Sequence, residues 1–125
     1  MLLDSIYDLL KPVNAKVYPG IVEQETEAPF IVHARVGTTP YPSKDGAATK
    51  DLVVYRVASY ASTQREADSQ AETIRETIDE YSGLMNGVMI EKIRYQDEEN
   101  GFDNSEEVQL YYTMQTYKIW INYET

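Results

Sequence analysis

The chain changes its periodicity once, between residues 52 and 83, and this change constrains the fold more than any other feature. The stretch LVVYRVASYASTQREADSQAETIRETIDEYSG begins with β-branched and aromatic residues, passes a short polar break and continues with helical spacing. Both alternating sets in residues 51–60 carry apolar groups, which predicts a central strand or one with a covered outer face. The sequence therefore predicts a strand joined to a helix by only a few residues.

The helix is well specified by its own residues. Thr63 is a good N-cap, and Glu66 three positions later completes a capping box. Gly83 is the expected residue at the end of the helix. One narrow apolar stripe predicts a core-facing helix that approaches the sheet closely through small residues: Ala67, Ala71, Ile74, Ile78 and Tyr81.

The other elements complete an α+β pattern. Residues 2–10 form a short amphipathic helix that Pro12 ends, and further strands are predicted at 30–39, 87–96 and 108–123. In the first of these the apolar set is Phe30, Val32, Ala34 and Val36. We expect one domain, residues 1–125, with an antiparallel sheet of about four strands and two helices packed on one face.

The last strand contains a change of phase. Its apolar residues have even numbers up to Met114 and odd numbers from Tyr117 onward. A slip of one residue would turn the apolar face outward, so the pattern predicts a β-bulge near Gln115 and Thr116.

Two segments are predicted as long loops. Residues 38–50, TTPYPSKDGAATK, read as an extended loop between two antiparallel strands, and residues 97–107, DEENGFDNSEE, read as an acidic hairpin loop. Long loops in compact domains tend to be functional or disordered.

Charge and composition exclude several classes of function. The chain has 11 basic and 21 acidic residues, a net charge of −10, which disfavours nucleic acid as a partner of the exposed surface. It has no cysteine, which excludes disulfides and thiolate metal sites and favours a reducing compartment. We expect no signal peptide and no membrane span, since the N-terminus lacks a basic region and no apolar run approaches about 20 residues.

Catalytic signals are weak. His33 lies inside a strand pattern without a flanking motif, which favours a structural or surface histidine. An EF-hand register around Gly101 would place Gln96 where an aspartate is needed, although adventitious cation binding by the acidic loop, including Asp103, stays open. We therefore expect no catalytic, cofactor-binding or metal-binding residues.

The layout resembles the tail-completion, or tail-terminator, proteins of long-tailed bacteriophages. The resemblance runs through VYPG, APFIVHARV and VYRVASYASTQREADSQAETIRETID, and it continues through YQDEENGFDN to the closing YKIWINY. It implies a virion structural protein without a cofactor, which forms a ring, commonly a hexamer, in the tail or neck after assembly in the host cytoplasm. The ring would cap the tail tube, dock the head connector and let DNA pass without binding it specifically.

Under this resemblance two groups of residues are candidates for interaction. Tyr41, Lys44 and Asp45 would reach a neighbouring subunit or the tube, and Asp97, Glu98 and Glu99 would face a partner or the lumen. Two alternatives stay open: another neck or head-closure adaptor of the same particle, and a small carboxylate-dependent enzyme.

Overall fold

The computed structural model describes residues 2–20, 27–41, 50–103 and 109–122. These ranges form one curved, half-barrel sheet of six strands with two helices, and the strand order is β1-β2-β3-β6-β5-β4. No helix in the described ranges is long and apolar enough to cross a membrane. The elements are α1 (Leu2–Leu10), β1 (Val17–Pro19), β2 (Phe30–Tyr41), β3 (Lys50–Ala61), α2 (Gln64–Ile78), β4 (Gly83–Met85), β5 (Val88–Asp103) and β6 (Leu110–Asn122).

The predicted antiparallel sheet of about four strands is wrong, although the α+β class and the two helices agree with the structure. The sheet is mixed, because β1 pairs in parallel with β2 through Val17 and Ile31. β4 adds a sixth strand beside β5. Each of the missed strands has only three residues. That length is shorter than the four to eight residues over which alternation becomes visible.

The helix α2 begins as predicted and ends earlier. The side chain of Thr63 accepts a hydrogen bond from the backbone N–H of Glu66 at 3.1 Å, which confirms the N-cap. The helix ends at Ile78, and Gly83 lies in β4 instead of terminating it. The carboxylate of Asp79 accepts a hydrogen bond from the backbone of β5, so contact with the sheet fixes where the helix stops.

Small residues bring the backbone of α2 within reach of side chains from the sheet. Ser59 donates a hydrogen bond to the carbonyl oxygen of Ala67 at 2.8 Å, and Gln115 donates one to that of Ala71 at 3.0 Å. The Gln115 oxygen in turn accepts a hydrogen bond from the Tyr117 hydroxyl at 2.6 Å. These polar groups are therefore buried with their hydrogen bonds made, which removes the main cost of burying them.

The predicted bulge in the last strand is misplaced. β6 pairs with β3 in continuous register, and its buried residues alternate from Thr113 to Ile121. The apparent change of phase arises because Thr113 and Gln115 are polar and yet face α2. The register shifts lie in the partner strand β5 instead, between Ile90 and Lys92 and between Tyr95 and Asp97, and the second is opposite Thr116 and Tyr117.

The sheet also takes in residues that the sequence predicts as loops. Residues 97–103 belong to β5 and pair with β6 as far as Asp103 and Leu110. Backbone pairing overrides the low strand propensity of the acids, whose side chains keep their hydration near the edge of the sheet. Residues 38–41 likewise extend β2 against β3, in the antiparallel arrangement that was predicted, and residues 42–49 lie outside the described ranges.

The two helices lie on one side of the sheet and share its hydrophobic core. In β2 they cover Ile31 and His33, whereas Val36 of the apolar set is 52% exposed. Val36 lies at a register shift of β2. The other members of that set pair with residues on the side of β3 away from the helices: Phe30, Val32 and Ala34.

The alanine contacts predict a position-specific effect on stability. Ala71→Leu adds volume where the helix touches the sheet, and we expect it to lower the free energy of unfolding by about 1–3 kcal/mol. Thr73→Leu on the exposed side of the same helix is the control, with an expected change within about 0.5 kcal/mol. Urea denaturation followed by circular dichroism measures both, and equal effects would show that close approach at Ala71 is unimportant.

Candidate interaction surface

The strands divide their side chains between two faces of the sheet. One face, which includes Ile31, Val57 and Gln115, packs against the helices, and we call it the helix-covered face. The alternating residues, such as Val32 and Ala58, point to the other side, which we call the open face. Within the described ranges neither helix packs against the open face.

A row of aromatic rings crosses the open face. The Phe30 ring lies 6.4 Å from that of Tyr18 and stacks on Tyr60 at 4.9 Å, and Tyr60 lies 5.6 Å from Tyr112. The ring of Tyr112 covers Gly101, where an added Cβ would overlap with it. Burial and the nearby Asp103 carboxylate raise the pKa of Tyr60. These tyrosines thus act as cross-strand partners, which join five strands on one face.

The three predicted acids of β5 do not all lie on one face of the sheet. Asp97 pairs with Thr116 and Glu99 with Met114, so both carboxylates point to the open face. Glu98 points to the helix-covered face, where it accepts a hydrogen bond from the Tyr95 hydroxyl at 2.9 Å. The predicted loop over residues 97–107 did not include the alternation of side chains along a strand, which places Glu98 on the face opposite to Asp97 and Glu99.

Of the second predicted group, which is Tyr41, Lys44 and Asp45, the structure describes only Tyr41. Tyr41 is the last residue of β2, and its backbone pairs with Lys50. Lys44 and Asp45 lie outside the described residues. At the same end of the sheet, Lys50 forms an ion pair of 2.9 Å with Glu91, which anchors the start of β3 beside this segment.

Two strand edges lie open within the described ranges. No described strand pairs with the outer side of residues 34–41 of β2, since β1 reaches only to His33. Residues 96–103 of β5 are likewise without an outer strand in the described ranges, because β4 covers only residues 88–90. Such edges offer backbone donors and acceptors to another chain.

His33 lies inside the protein, so of the two predicted possibilities, a structural or a surface histidine, the surface one is wrong. It is 1% exposed, and its Nδ1 atom shares a hydrogen bond of 2.6 Å with the Tyr55 hydroxyl. The Nε2 atom has no partner among the described residues. Burial penalises the charged imidazolium and lowers the pKa of His33 to about 4. Burial also raises the pKa of Tyr55, so the pair remains neutral near pH 7.

The described residues form no obvious catalytic or metal centre. An open cleft of about 360 Å³ lies beside α2, and Glu66 is the one carboxylate among its lining residues, which are Val13, Pro29, Glu66, Ser69, Gln70 and Thr73. No three acidic or histidine side chains in the described ranges are grouped as metal ligands would be. A pair of carboxylates in a deep pocket, which the enzyme alternative requires, is absent from this cleft.

Comparison with known proteins yields a match of fold. No protein-family model matches the chain, and no curated protein sequence is similar to it. Among solved structures, a chain in the virion of a native gene transfer agent particle superimposes with a TM-score of 0.78. The match covers 97% of this chain and 94% of that chain, with 8% sequence identity. The two chains therefore share a fold over nearly their whole length.

The buried histidine predicts a dependence of stability on pH. The unfolded chain binds a proton at His33 near pH 6.5, whereas the folded chain binds it only near pH 4. His33 therefore does not reduce the free energy of unfolding above pH 6.5, and it lowers this free energy progressively as the pH falls below 6.5. The expected loss is about 3 kcal/mol as the pH approaches 4.

His33→Gln keeps an acceptor for Tyr55 but cannot titrate. Urea denaturation of both proteins at several pH values isolates the contribution of His33 as the difference between the two curves. The stability of the variant should decrease less between pH 6.5 and 4. Parallel curves would show that His33 is protonated as easily in the folded chain as in the unfolded one.

Proposed function

We propose that this protein is a structural component of a tailed, phage-like virion, and that it completes the tail as a terminator. In this role a ring of copies, commonly six in the family that the sequence resembles, caps the tail tube and joins it to the head connector. The proposal assigns no catalytic residue and no cofactor to the chain.

The observation that carries this proposal is the full-length match to a chain of a gene transfer agent virion, with a TM-score of 0.78. In the described ranges, two open strand edges and an open sheet face supply surface for association, which a ring component needs. The sequence resemblance to tail-completion proteins adds the specific position in the particle.

The predicted residues receive separate roles. Tyr41 ends β2 at the segment that contains Lys44 and Asp45, and we assign this segment to contact with the tube or a neighbouring copy. Asp97 and Glu99 share the open face at the edge of the sheet, and we assign them to the surface that passing DNA meets. Glu98 supports the sheet from the other face.

Binding to assembled tail tubes tests the terminator role. The purified protein should sediment with tubes and appear at their ends in negative-stain electron micrographs. Lys44→Ala with Asp45→Ala should weaken this binding about tenfold, because interface charges of this kind contribute on the order of 1 kcal/mol. The matched control is Asp8→Ala with Lys11→Ala, at an exposed residue of α1 and an exposed residue that follows it, which should bind normally. Asp8 accepts a hydrogen bond from Asn86, so circular dichroism checks that this control is folded.

The alternatives give different outcomes. Binding to the connector and not to tubes would identify a neck adaptor instead of a terminator. Light scattering should show a closed multimer near six times the 14.3 kDa of one chain. A protein that binds neither tubes nor connector would contradict the proposed function.

The separation of the acids predicts an effect on DNA affinity. Asp97→Asn with Glu99→Gln removes two charges from the open face, and we expect the assembled ring to retain duplex DNA more strongly at low salt. Glu98→Gln is the control, because its side chain lies on the other face. Filter binding at about 50 mM and about 200 mM salt measures the affinities. An unchanged affinity of the double variant would refute the role assigned to these acids.

A further inference from the structure

Three cations form a group on the open face that the proposed roles do not use. Arg94 of β5 stands directly opposite Lys118 of β6, and Arg56 of β3 lies one row further along the same face. Arg56 and Arg94 are exposed, and Lys118 is half-buried. Within the described ranges none of the three forms an ion pair. We call Arg56, Arg94 and Lys118 the cationic row.

The cationic row is electrostatically unfavourable in the isolated chain. Like charges directly opposite each other on a sheet are destabilising, and Arg94 and Lys118 stand in this relation. A carboxylate placed between them would turn this repulsion into attraction. Asp97 lies in the row of Arg56 on this face but forms no ion pair with the cations in the described ranges, so in a chain with a net charge of −10 this group favours an acidic partner.

Apolar side chains frame the cationic row. Val54 pairs with Lys118, and Leu52 pairs with Trp120 in the adjacent row of the open face. All three apolar side chains are half-buried in the described chain, so a partner would cover their remaining surface. Tryptophan and arginine close together on an accessible face are typical of protein interfaces.

The matching acidic surface lies on the opposite side of the same molecule. Glu72 and Glu76 are exposed on α2, where their spacing of four residues makes them repel each other. Neither forms an ion pair within the described ranges. The nearby Arg75 is engaged by Asp79 at 3.8 Å and by the ring of Tyr95.

We propose that the cationic row of one copy binds Glu72 and Glu76 on the α2 surface of the next copy. The two surfaces lie on opposite faces of the chain, so the contact joins different patches and repeats head to tail. Such a contact closes into a ring when the rotation between copies permits. The inference names the partner within the proposed ring and to that extent rests on the proposed function.

A second copy fits the cationic row better than a nucleic acid does. Asp97 and Glu99, on β5 of the same face, would repel a phosphate backbone that runs along the face, whereas a contact with two carboxylates of α2 is confined to the cationic row and leaves those acids exposed. When Glu72 and Glu76 of α2 bind the cationic row, the repulsion between these two carboxylates is relieved as well. Because the groups on both sides are accessible, the contact should weaken as salt increases.

Charge exchange tests the contact in the full-length protein. Arg94→Glu with Lys118→Glu should raise the dissociation constant of the multimer at least tenfold, and Glu72→Lys with Glu76→Lys should do the same. Mixed in equal amounts, the two variants should assemble again, because each reversed surface then meets its opposite. Sedimentation velocity at low salt measures the masses, and Lys11→Glu with Lys16→Glu on another surface is the charge-matched control.

Each result has a defined meaning. Multimers that survive both reversals would overturn this contact and leave the proposed function in place. Reversals that dissociate the multimer without reassembly on mixing would overturn the pairing of these two surfaces. A wild-type chain that stays monomeric in low salt would also overturn the contact, while the tube-binding assay would still decide the proposed function.

Two further measurements separate loss of the contact from misfolding and from DNA binding. Circular dichroism shows whether each variant is folded. If the Arg94→Glu, Lys118→Glu variant is unfolded, the neutral variant Arg94→Gln with Lys118→Gln replaces it. Duplex DNA is offered to the wild type and to the Arg94→Glu, Lys118→Glu variant. DNA binding that is lost in the variant, with multimer mass unchanged, would assign the cationic row to nucleic acid and overturn the proposal.

Discussion

The seating of α2 on β3 and β6 is the contact on which the rest of the structure depends. Ala67 and Ala71 bring the helix backbone so close that Ser59 and Gln115 donate hydrogen bonds directly to its carbonyl oxygens. This arrangement decides which face of the central strands is buried. Because side chains alternate along a strand, it also decides which side chains remain on the open face. The aromatic row, the cationic row and the separation of the acids all follow from it.

The two sides of the molecule therefore differ in chemistry. The helix side is a close-packed core beneath an acidic helix surface, and the open side combines aromatic rings, the cationic row and acids of β5. A chain whose opposite surfaces differ in this way is suited to contacts between unlike patches, as rings require. The open strand edges in the described ranges add backbone groups that a neighbouring chain can pair with.

The match to a virion chain with 8% identity shows how weakly this fold depends on particular residues. A pattern of apolar periodicity, small helix residues and satisfied polar contacts can be met by many sequences. Even the buried pair of His33 and Tyr55 serves packing, since the histidine is neutral near pH 7 and its hydrogen-bond partner is a tyrosine. A fold by itself does not fix function, so the proposed contacts are argued from particular surface residues.

Local periodicity was enough to predict α1, the N-cap of α2 at Thr63, its alanine stripe and the antiparallel pairing of β2 with β3, because neighbouring residues carry these signals. It could not show that β1 joins in parallel, or that the acidic segment after Gln96 continues β5, since both depend on backbone partners distant in sequence. The β-bulge was placed in β6, near the polar Gln115, for the same reason. The place of Gln115 in the core is set by a carbonyl oxygen of α2, 44 residues away, which only the tertiary structure supplies.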